Sequence, residues 1–289
     1  MESIYSPRAV RDLLKKNGLH AKKSLGQNFL TDRNIVQKIA EAAEVDYDTV
    51  VEIGPGIGAL TLALAARAEQ VIALELDKKI VPVLREVTSG FANITIVEGD
   101  AVKENFDTLV EGVAGPQKAR EGYRVAANLP YYVTTPIIMH LFEKDFNIKS
   151  MVFMMQKEVA DRIMAEPGGK DYGSLSVVVQ FFAKPSLVTK VPPTVFLPQP
   201  EVESAVIRLD KHKSPPVNIS NKEFFFKVVR AAFGKRRKTL LNALSNSALK
   251  LDKNLIQKAC EKSGIDPKAR AETLSIEQFA DLSENLSAW

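Results

Sequence analysis

The chain has 289 residues, of which 45% are hydrophobic, so it is long and apolar enough for a sizeable core and about two domains. Its single cysteine cannot form an intramolecular disulfide, its three histidines are far apart, and no apolar run is long enough to cross a bilayer. The composition therefore disfavours a disulfide framework, a metal site and a membrane span, and it predicts a globular protein of the reducing cytoplasm.

The basic residues are concentrated toward the C-terminal end. The formal net charge is +4, but residues 211–289 hold 15 lysines and arginines against 8 acidic residues, whereas residues 1–210 hold 24 against 27. Such an asymmetry is typical of a part of the chain that binds a polyanion such as a nucleic acid. A solvated basic helical surface is the alternative explanation.

The first elements resemble those of a nucleotide site. After a polar, basic arm over residues 1–20, a helix is expected with Thr31 or Asp32 as its N-cap. The buried strand Thr49–Ile53 then runs into a glycine loop at residues 54–58 and an apolar helix. Glycines let a ligand approach the backbone closely. Because the loop also satisfies the pattern G-x-G-x-x-G/A, a nicotinamide oxidoreductase remains an alternative.

Polar side chains stand at the ends of three further predicted strands. Glu75 and Asp100 each follow a short apolar strand, and Asn128 ends the apolar run that starts at Val125. Because the carboxyl ends of parallel strands open onto one edge of a sheet, these side chains should converge with the glycine loop on one crevice. A carboxylate at Glu75 can accept hydrogen bonds from both hydroxyls of a ribose.

The segment Asn128-Leu129-Pro130-Tyr131 is predicted to form the chemical centre of this crevice. Pro130 cannot donate to a strand ladder, so the strand should end there. The amide oxygen of Asn128 can accept a hydrogen bond from an exocyclic amine, and the Tyr131 ring can stack on a base. Phe196, held in a proline-rich loop, is either a lid on the core or a second stacking wall.

The remaining chain alternates between strands and helices and then becomes helical. Residues 106–122 are expected to form a surface excursion, residues 175–182 a helix or a strand, and residues 210–220 a linker. The other predicted helices cover residues 59–66, 77–87, 135–143, 157–165, 224–233, 239–244, 255–260 and 276–286. The other predicted strands cover residues 70–74, 94–97, 150–155 and 202–209.

These motifs together closely resemble the ribosomal RNA adenine dimethyltransferases of the KsgA (RsmA) type. The resemblance rests on Gly26-Gln27-Asn28-Phe29-Leu30, the loop from Glu52 to Gly58, Asn128 to Tyr131, and the Phe196 to Ser204 segment. It implies an α/β fold, a Rossmann-like class I methyltransferase domain with a seven-stranded, mostly parallel sheet over residues 21–209. It also implies a small helical, RNA-binding domain over residues 221–289.

The resemblance also implies S-adenosyl-L-methionine as methyl donor and assigns residues to it. The residues expected to bind the donor are Gln27, Asn28, Leu30, Glu52, Gly54, Gly56, Gly58, Glu75, Leu76, Asp100, Ala101 and Asn128. The residues expected to act on the acceptor adenine are Asn128, Leu129, Pro130, Tyr131 and Phe196. The residues expected to bind RNA are Lys22, Lys23, Lys235, Arg236, Arg237 and Lys238.

The implied activity is dimethylation of N6 on two adjacent adenosines near the 3′ end of 16S rRNA, a step in small-subunit biogenesis. The protein is expected to work as a monomer on the small ribosomal subunit or its precursor, without a metal. Two alternatives stay open. One is an Erm-type enzyme acting on 23S rRNA, and the other is an RNA-binding assembly factor in which catalysis is secondary.

Overall fold

The computed structural model describes residues 3–21, 26–235 and 237–287. The chain divides into two compact units, and each is built from two separate segments. The first unit comprises Met1–Ala160 with Ser186–Lys211, and the second comprises Asp161–Pro185 with His212–Trp289.

A seven-stranded sheet forms the centre of the fold, with the strand order β4-β3-β2-β5-β6-β9-β7. The first five strands in that order are parallel to their neighbours, and β9 is antiparallel to β6. The strands are β1 (Phe29–Leu30), β2 (Thr49–Ile53), β3 (Gln70–Glu75), β4 (Ile94–Glu98), β5 (Tyr123–Asn128), β6 (Ile148–Gln156), β7 (Ala183–Val191), β8 (Phe196–Leu197) and β9 (Ser204–Lys211).

Helices accompany the strands in the alternation that a Rossmann-like domain requires. The helices in the first part of the chain are α1 (Pro7–Lys16), α2 (Arg33–Ala42), α3 (Ala59–Ala65), α4 (Val81–Thr88), α5 (Phe106–Ala114), α6 (Pro116–Glu121), α7 (Thr134–Glu143) and α8 (Lys157–Met164). All five residues of β2 are buried, as expected for a strand covered on both faces of a parallel sheet. The predicted N-cap of α2 is Asp32, whose side chain accepts from the Ile35 N–H at 3.0 Å.

The N-terminal segment is a folded helix rather than the predicted arm. The Ser6 side chain caps α1 by accepting from the Ala9 N–H at 3.2 Å. Val10 and Leu14, one helical turn apart, pack in a cluster with Phe29 and Ile57. The basic residues that made this segment look like an arm occupy the opposite, exposed side of an amphipathic helix.

Residues 106–122 also differ from the expected surface excursion, because they form helices α5 and α6. The Asn105 side chain caps α5 by accepting from the Thr108 N–H at 3.0 Å. Phe106 and Val110 are fully buried. Their spacing of four residues places both on one face of the helix, which packs against the sheet.

A cluster of charged side chains lies at the amino ends of the parallel strands. Asp48, just before β2, accepts hydrogen bonds from Arg124 Nε and Lys149 Nζ, each at 2.9 Å. Burial raises the pKa of Asp48, but these hydrogen bonds and positive charges more than offset that effect, so its pKa lies below the usual value. The cluster ties together the starts of three strands.

The second unit is mainly helical in its described residues. Its helices are α9 (Ser174–Phe182), α10 (Lys222–Phe233), α11 (Leu240–Ser245), α12 (Lys253–Lys262) and α13 (Ile276–Ser287). Aromatic contacts join α9 to α10: the ring of Phe181 lies 5.4 Å from that of Phe225 and 5.2 Å from that of Phe226, between centroids. Residues 161–185 therefore belong with the C-terminal helices, whereas the sequence placed them in the larger domain.

Candidate active site

A cavity of about 400 Å³ opens at the carboxyl ends of the parallel strands in the first unit. The ends of β2, β3 and β5 line it, together with the loops that follow them. This is the edge at which open α/β sheets bind their ligands. Of the predicted site residues, those lining it are Gln27, Asn28, Leu30, Glu52, Gly54, Gly56, Glu75, Leu76, Asp100, Ala101, Asn128, Leu129, Pro130 and Tyr131.

The glycine loop between β2 and α3 brings the backbone close to the cavity. Gly56 has a φ of +56°, and a Cβ atom at this position would lie 3.3 Å from the Phe29 ring. Both constraints favour glycine. Gly58 is the N-cap of α3 and is not among the residues that line the cavity; it has a φ of +94°, and a Cβ at this position would lie 3.0 Å from the Leu84 side chain of α4. The positive φ and the close side chain both favour glycine here, and the donor contact expected from the sequence stays a prediction.

Glu75, at the end of β3, is held by two backbone N–H groups. Its Oε2 accepts from Gly56 at 3.0 Å, and its Oε1 accepts from Asp77 at 2.8 Å. Burial raises the pKa of this carboxyl, and the two hydrogen bonds offset part of that increase. These contacts fix the orientation of the carboxylate and tie the glycine loop to the neighbouring strand.

Glu52 is a second buried carboxyl of the cavity, on the central strand β2. Only 1% of its surface is exposed, and burial raises its pKa to about 8, with a further increase from the charge of Glu75. The Thr61 hydroxyl lies close enough to lower this pKa. Nevertheless, neither Glu52 Oε2 nor Thr61 Oγ1 has a hydrogen-bond partner of good geometry among the described residues.

Asp100 stands on the far side of the cavity, after β4. Its Oδ1 accepts from the Val102 N–H at 3.1 Å, and its Oδ2 pairs with Lys103 Nζ at 3.2 Å. Leu76, which follows β3, is 49% exposed and lines the same cavity. An acidic group and an exposed apolar side chain thus line one space, a combination of polar and apolar surface that is typical of small-molecule sites.

The segment Gly26–Asn28, here called the strap, connects the two sides of the cavity. Gln27 Nε2 donates to Asp77 Oδ2 at 3.0 Å on the side of Glu75. On the other side, Asn128 Nδ2 donates to the Asn28 carbonyl at 3.1 Å. Because this bond uses the amide nitrogen of Asn128, its amide oxygen is the atom that remains to accept a hydrogen bond from a ligand.

The segment after β5 is anchored at each of its residues. The Leu129 N–H donates to the Met154 carbonyl at 2.9 Å, and the Pro130 carbonyl accepts from Thr134 Oγ1 at 3.0 Å. The Tyr131 hydroxyl lies 2.7 Å from Ser204 Oγ. The predicted strand exit is therefore a rigid platform that carries an amide and an aromatic ring to the cavity.

The structure does not bring Phe196 to the cavity. Phe196 pairs with Leu30 where β8 meets β1. Its ring packs in the hydrophobic core and is only 4% exposed. The pairing of the two short strands turns the side chain inward. This arrangement matches the first of the two alternatives for Phe196, a lid on the core, and not the role on the acceptor adenine that the resemblance implied.

The predicted RNA-binding residues lie partly outside the described residues. Lys235, Arg237 and Lys238 are exposed in the turn between α10 and α11 of the second unit. The others, Lys22, Lys23 and Arg236, fall outside the part of the chain that the structure describes.

Among the residues that line the cavity but were not predicted as site residues are Gly26, Lys103 and Tyr132. Tyr132 immediately follows the Asn128–Tyr131 motif, so proximity to the motif was the available signal. Lys103 follows Asp100 by one short turn, a spacing at which side chains can pair.

Across residues 3–21, 26–235 and 237–287, no group of three or more histidine, cysteine, aspartate or glutamate side chains is arranged to hold a metal ion. No helix within these same ranges is long and apolar enough to span a membrane.

The doubly wound sheet, the glycine loop and the acidic strand ends at its carboxyl edge define a class I methyltransferase fold, which confirms the predicted fold class. A family model described as ribosomal RNA adenine dimethylase matches residues 18–288. The chain belongs to this ribosomal RNA adenine dimethylase family, which confirms the resemblance seen in its sequence. Family membership favours methyl transfer over nicotinamide chemistry.

Relatives match the chain over nearly its whole length. It is 52% identical over 288 residues to the ribosomal RNA small subunit methyltransferase A of Moorella thermoacetica, covering 99% of each chain. It is 46% identical to the protein of the same name from Alkaliphilus oremlandii, again with 99% of each chain covered.

Two solved structures are also similar to this chain. A dimethyladenosine transferase from Plasmodium falciparum is 27% identical, with a TM-score of 0.70 over 88% of this chain and 95% of the other. The 23S rRNA methyltransferase ErmE is 29% identical, with a TM-score of 0.67 over 90% of this chain and 100% of the other.

Proposed function

We propose that this protein transfers methyl groups from S-adenosyl-L-methionine to N6 of two adjacent adenosines near the 3′ end of 16S rRNA, as a step in small-subunit biogenesis. The observation that carries the proposal is the full-length identity of 52% to a small subunit methyltransferase A. The cavity adds chemical support, because an amide oxygen, an aromatic ring and two buried carboxyls surround one space.

The donor fits the half of the cavity formed by the glycine loop, Glu75 and Asp100. Each oxygen of Glu75 accepts one backbone hydrogen bond and keeps a lone pair that can accept from a ribose hydroxyl. Asp100 would accept a hydrogen bond from the donor's adenine amine, and the loop backbone would approach its methionine part. When bound, the donor supplies a methyl group activated by a sulfonium charge.

The acceptor amine needs to be oriented, because its lone pair is delocalised into the adenine ring and is a poor nucleophile. The Asn128 amide oxygen and the Leu129 carbonyl would each accept a hydrogen bond from one N–H of this amine. The two hydrogen bonds would direct the nitrogen lone pair away from the ring plane. Tyr131 would stack on the flipped base while its hydroxyl stays anchored to Ser204. Fixed dipoles and position replace a catalytic base in this mechanism.

The RNA is expected to meet positive charge in both parts of the sequence. Lys235, Arg237 and Lys238 are exposed and lie in the basic C-terminal region, where phosphate contacts would position the substrate. We assign the same role to Lys22, Lys23 and Arg236.

An Erm-type activity on large-subunit RNA is the alternative, since the ErmE structure is similar over most of both chains. The deciding experiment incubates the protein with labelled S-adenosyl-L-methionine and unmethylated 30S subunits, with 50S subunits and free rRNA in parallel. Dimethyladenosine in 16S rRNA is expected. Product confined to 23S rRNA would overturn the assignment, and the absence of transfer to any RNA would favour an assembly factor without required catalysis.

A further inference from the structure

Tyr132 is an aromatic side chain of the cavity to which the proposed mechanism gives no role. Its side chain is 55% exposed, yet it lines the cavity. Five large hydrophobic residues of the described chain are at least 44% exposed, and among them only Leu76 and Tyr132 line the cavity. Exposed apolar surface at a ligand pocket is a recognised sign of a binding contact.

The ring of Tyr132 neighbours the strap, and its hydroxyl is under the influence of two donor-side carboxyls. A Cβ added to Gly26 would lie 3.2 Å from Tyr132 Cδ1, so the ring rests against the glycine of the strap, whose φ is +57°. Burial raises the pKa of the Tyr132 hydroxyl, and the negative charges of Asp100 and Glu75 raise it further. Both of these carboxyls belong to the half of the cavity proposed for the donor.

The preceding residue has a different anchor. The Tyr131 hydroxyl is held by Ser204, at the start of β9. The two consecutive tyrosines therefore differ in their anchors: Tyr131 is fixed to the sheet, whereas Tyr132 contacts the strap and faces the acidic strand ends.

We propose that Tyr132 is a donor-binding residue whose ring packs against the nucleoside part of S-adenosyl-L-methionine and closes the cavity over it together with Gly26 of the strap. This inference rests on the proposed function. It implies that the motif after β5 serves both substrates, with Tyr131 on the acceptor and Tyr132 on the donor. The contribution comes from the ring face, so the hydroxyl is dispensable.

The test measures donor affinity directly, by isothermal titration calorimetry with S-adenosyl-L-methionine and with S-adenosyl-L-homocysteine. Tyr132→Ala is expected to weaken binding of both about tenfold, the size of a lost stacking contact. Tyr132→Phe should restore most of the affinity. Tyr47→Ala is the matched control, since Tyr47 is 86% exposed and does not line the cavity.

Three outcomes separate the ideas. Unchanged donor affinity in a folded Tyr132→Ala, with folding checked by thermal unfolding, would overturn the role of Tyr132. Unchanged donor affinity combined with a higher KM for 30S subunits would overturn it too, by assigning the ring to the acceptor. If the unaltered protein binds neither S-adenosyl-L-methionine nor S-adenosyl-L-homocysteine, the proposed function on which the inference rests is refuted instead.

Discussion

The proton on Glu52 should make the stability of this protein depend on pH in an unusual direction. Its pKa rises from 4.5 to about 8 on folding, so the unfolded chain loses this proton at a lower pH than the native protein does. Because the proton of Glu52 is bound more tightly in the native state, its contribution to the free energy of unfolding is complete below the unfolded pKa. That contribution is lost as the pH rises through the native pKa. The loss in unfolding free energy is up to about 5 kcal/mol.

The substitution Glu52→Gln removes the titration while preserving the shape of the side chain. Relative to the unaltered protein, the variant should gain stability progressively between about pH 5 and about pH 8.5, by as much as a few kcal/mol. Urea unfolding followed by circular dichroism measures this difference. Glu98→Gln is the control, because Glu98 ends the neighbouring strand β4 with an exposed side chain.

A direct reading of the proton is available from NMR. The side-chain carboxyl carbon of Glu52, observed in protein labelled with ¹³C-glutamate and assigned by its loss in Glu52→Gln, should titrate near pH 8. If that signal titrates near 4.5, the ordinary pKa of a glutamate, and the two proteins keep parallel stability profiles, the argument from burial is refuted.

Three further predictions concern the acceptor, the glycine loop and the charged edge of the sheet. Asn128→Ala should lower turnover on 30S subunits by about a hundredfold or more while calorimetric donor affinity stays within the normal range; near-normal turnover would contradict the orienting role. Gly56→Ala should lower the free energy of unfolding by about 1 to 3 kcal/mol, and by more than Gly54→Ala, because both glycines have positive φ but only Gly56 faces the Phe29 ring. Thermal denaturation of the two variants checks this, and equal losses would show that crowding against the ring is unimportant. Asp48→Asn should destabilise the protein at neutral pH, and the difference in unfolding free energy should shrink as the pH falls through the lowered pKa of Asp48 in the native state. Urea unfolding at several pH values tests this, and a difference that persists in acid would argue against the ion pairs.

The position of the cavity was predictable because strand polarity determines it. Glu75, Asp100 and Asn128 are distant in sequence, but each ends or follows a parallel strand, so topology alone brings them to one edge. The glycine loop was predictable for the same reason, since strand, glycines and helix follow one another without interruption.

Other features depend on register and packing, which a single sequence does not specify. Phe196 could face either way until the pairing of β8 with β1 turned its ring into the core. Helices α5 and α6 were concealed by glycines and charges, although Phe106 and Val110 have helical spacing. Strand β7 carries exposed, charged residues typical of a sheet edge, so alternation did not reveal it.

The raised pKa of Glu52 was similarly inaccessible from the sequence. An acidic residue within an apolar strand can face solvent, a partner or a cavity, and its neighbours in sequence do not distinguish these cases. Only the fold shows that Thr61 and Glu75, from two other elements, surround it and that it is almost completely buried.

The contact of α9 with α10 has a consequence for the order in which the protein can be made. A chain emerges from the ribosome with its N-terminal end first, and domains tend to fold as they appear. Phe181 and Phe182 leave the ribosome before residues 222–233 exist to cover them. The aromatic face of α9 therefore stays exposed until α10 has been synthesised. Truncated chains that end in the linker, residues 210–220, should aggregate or bind chaperones.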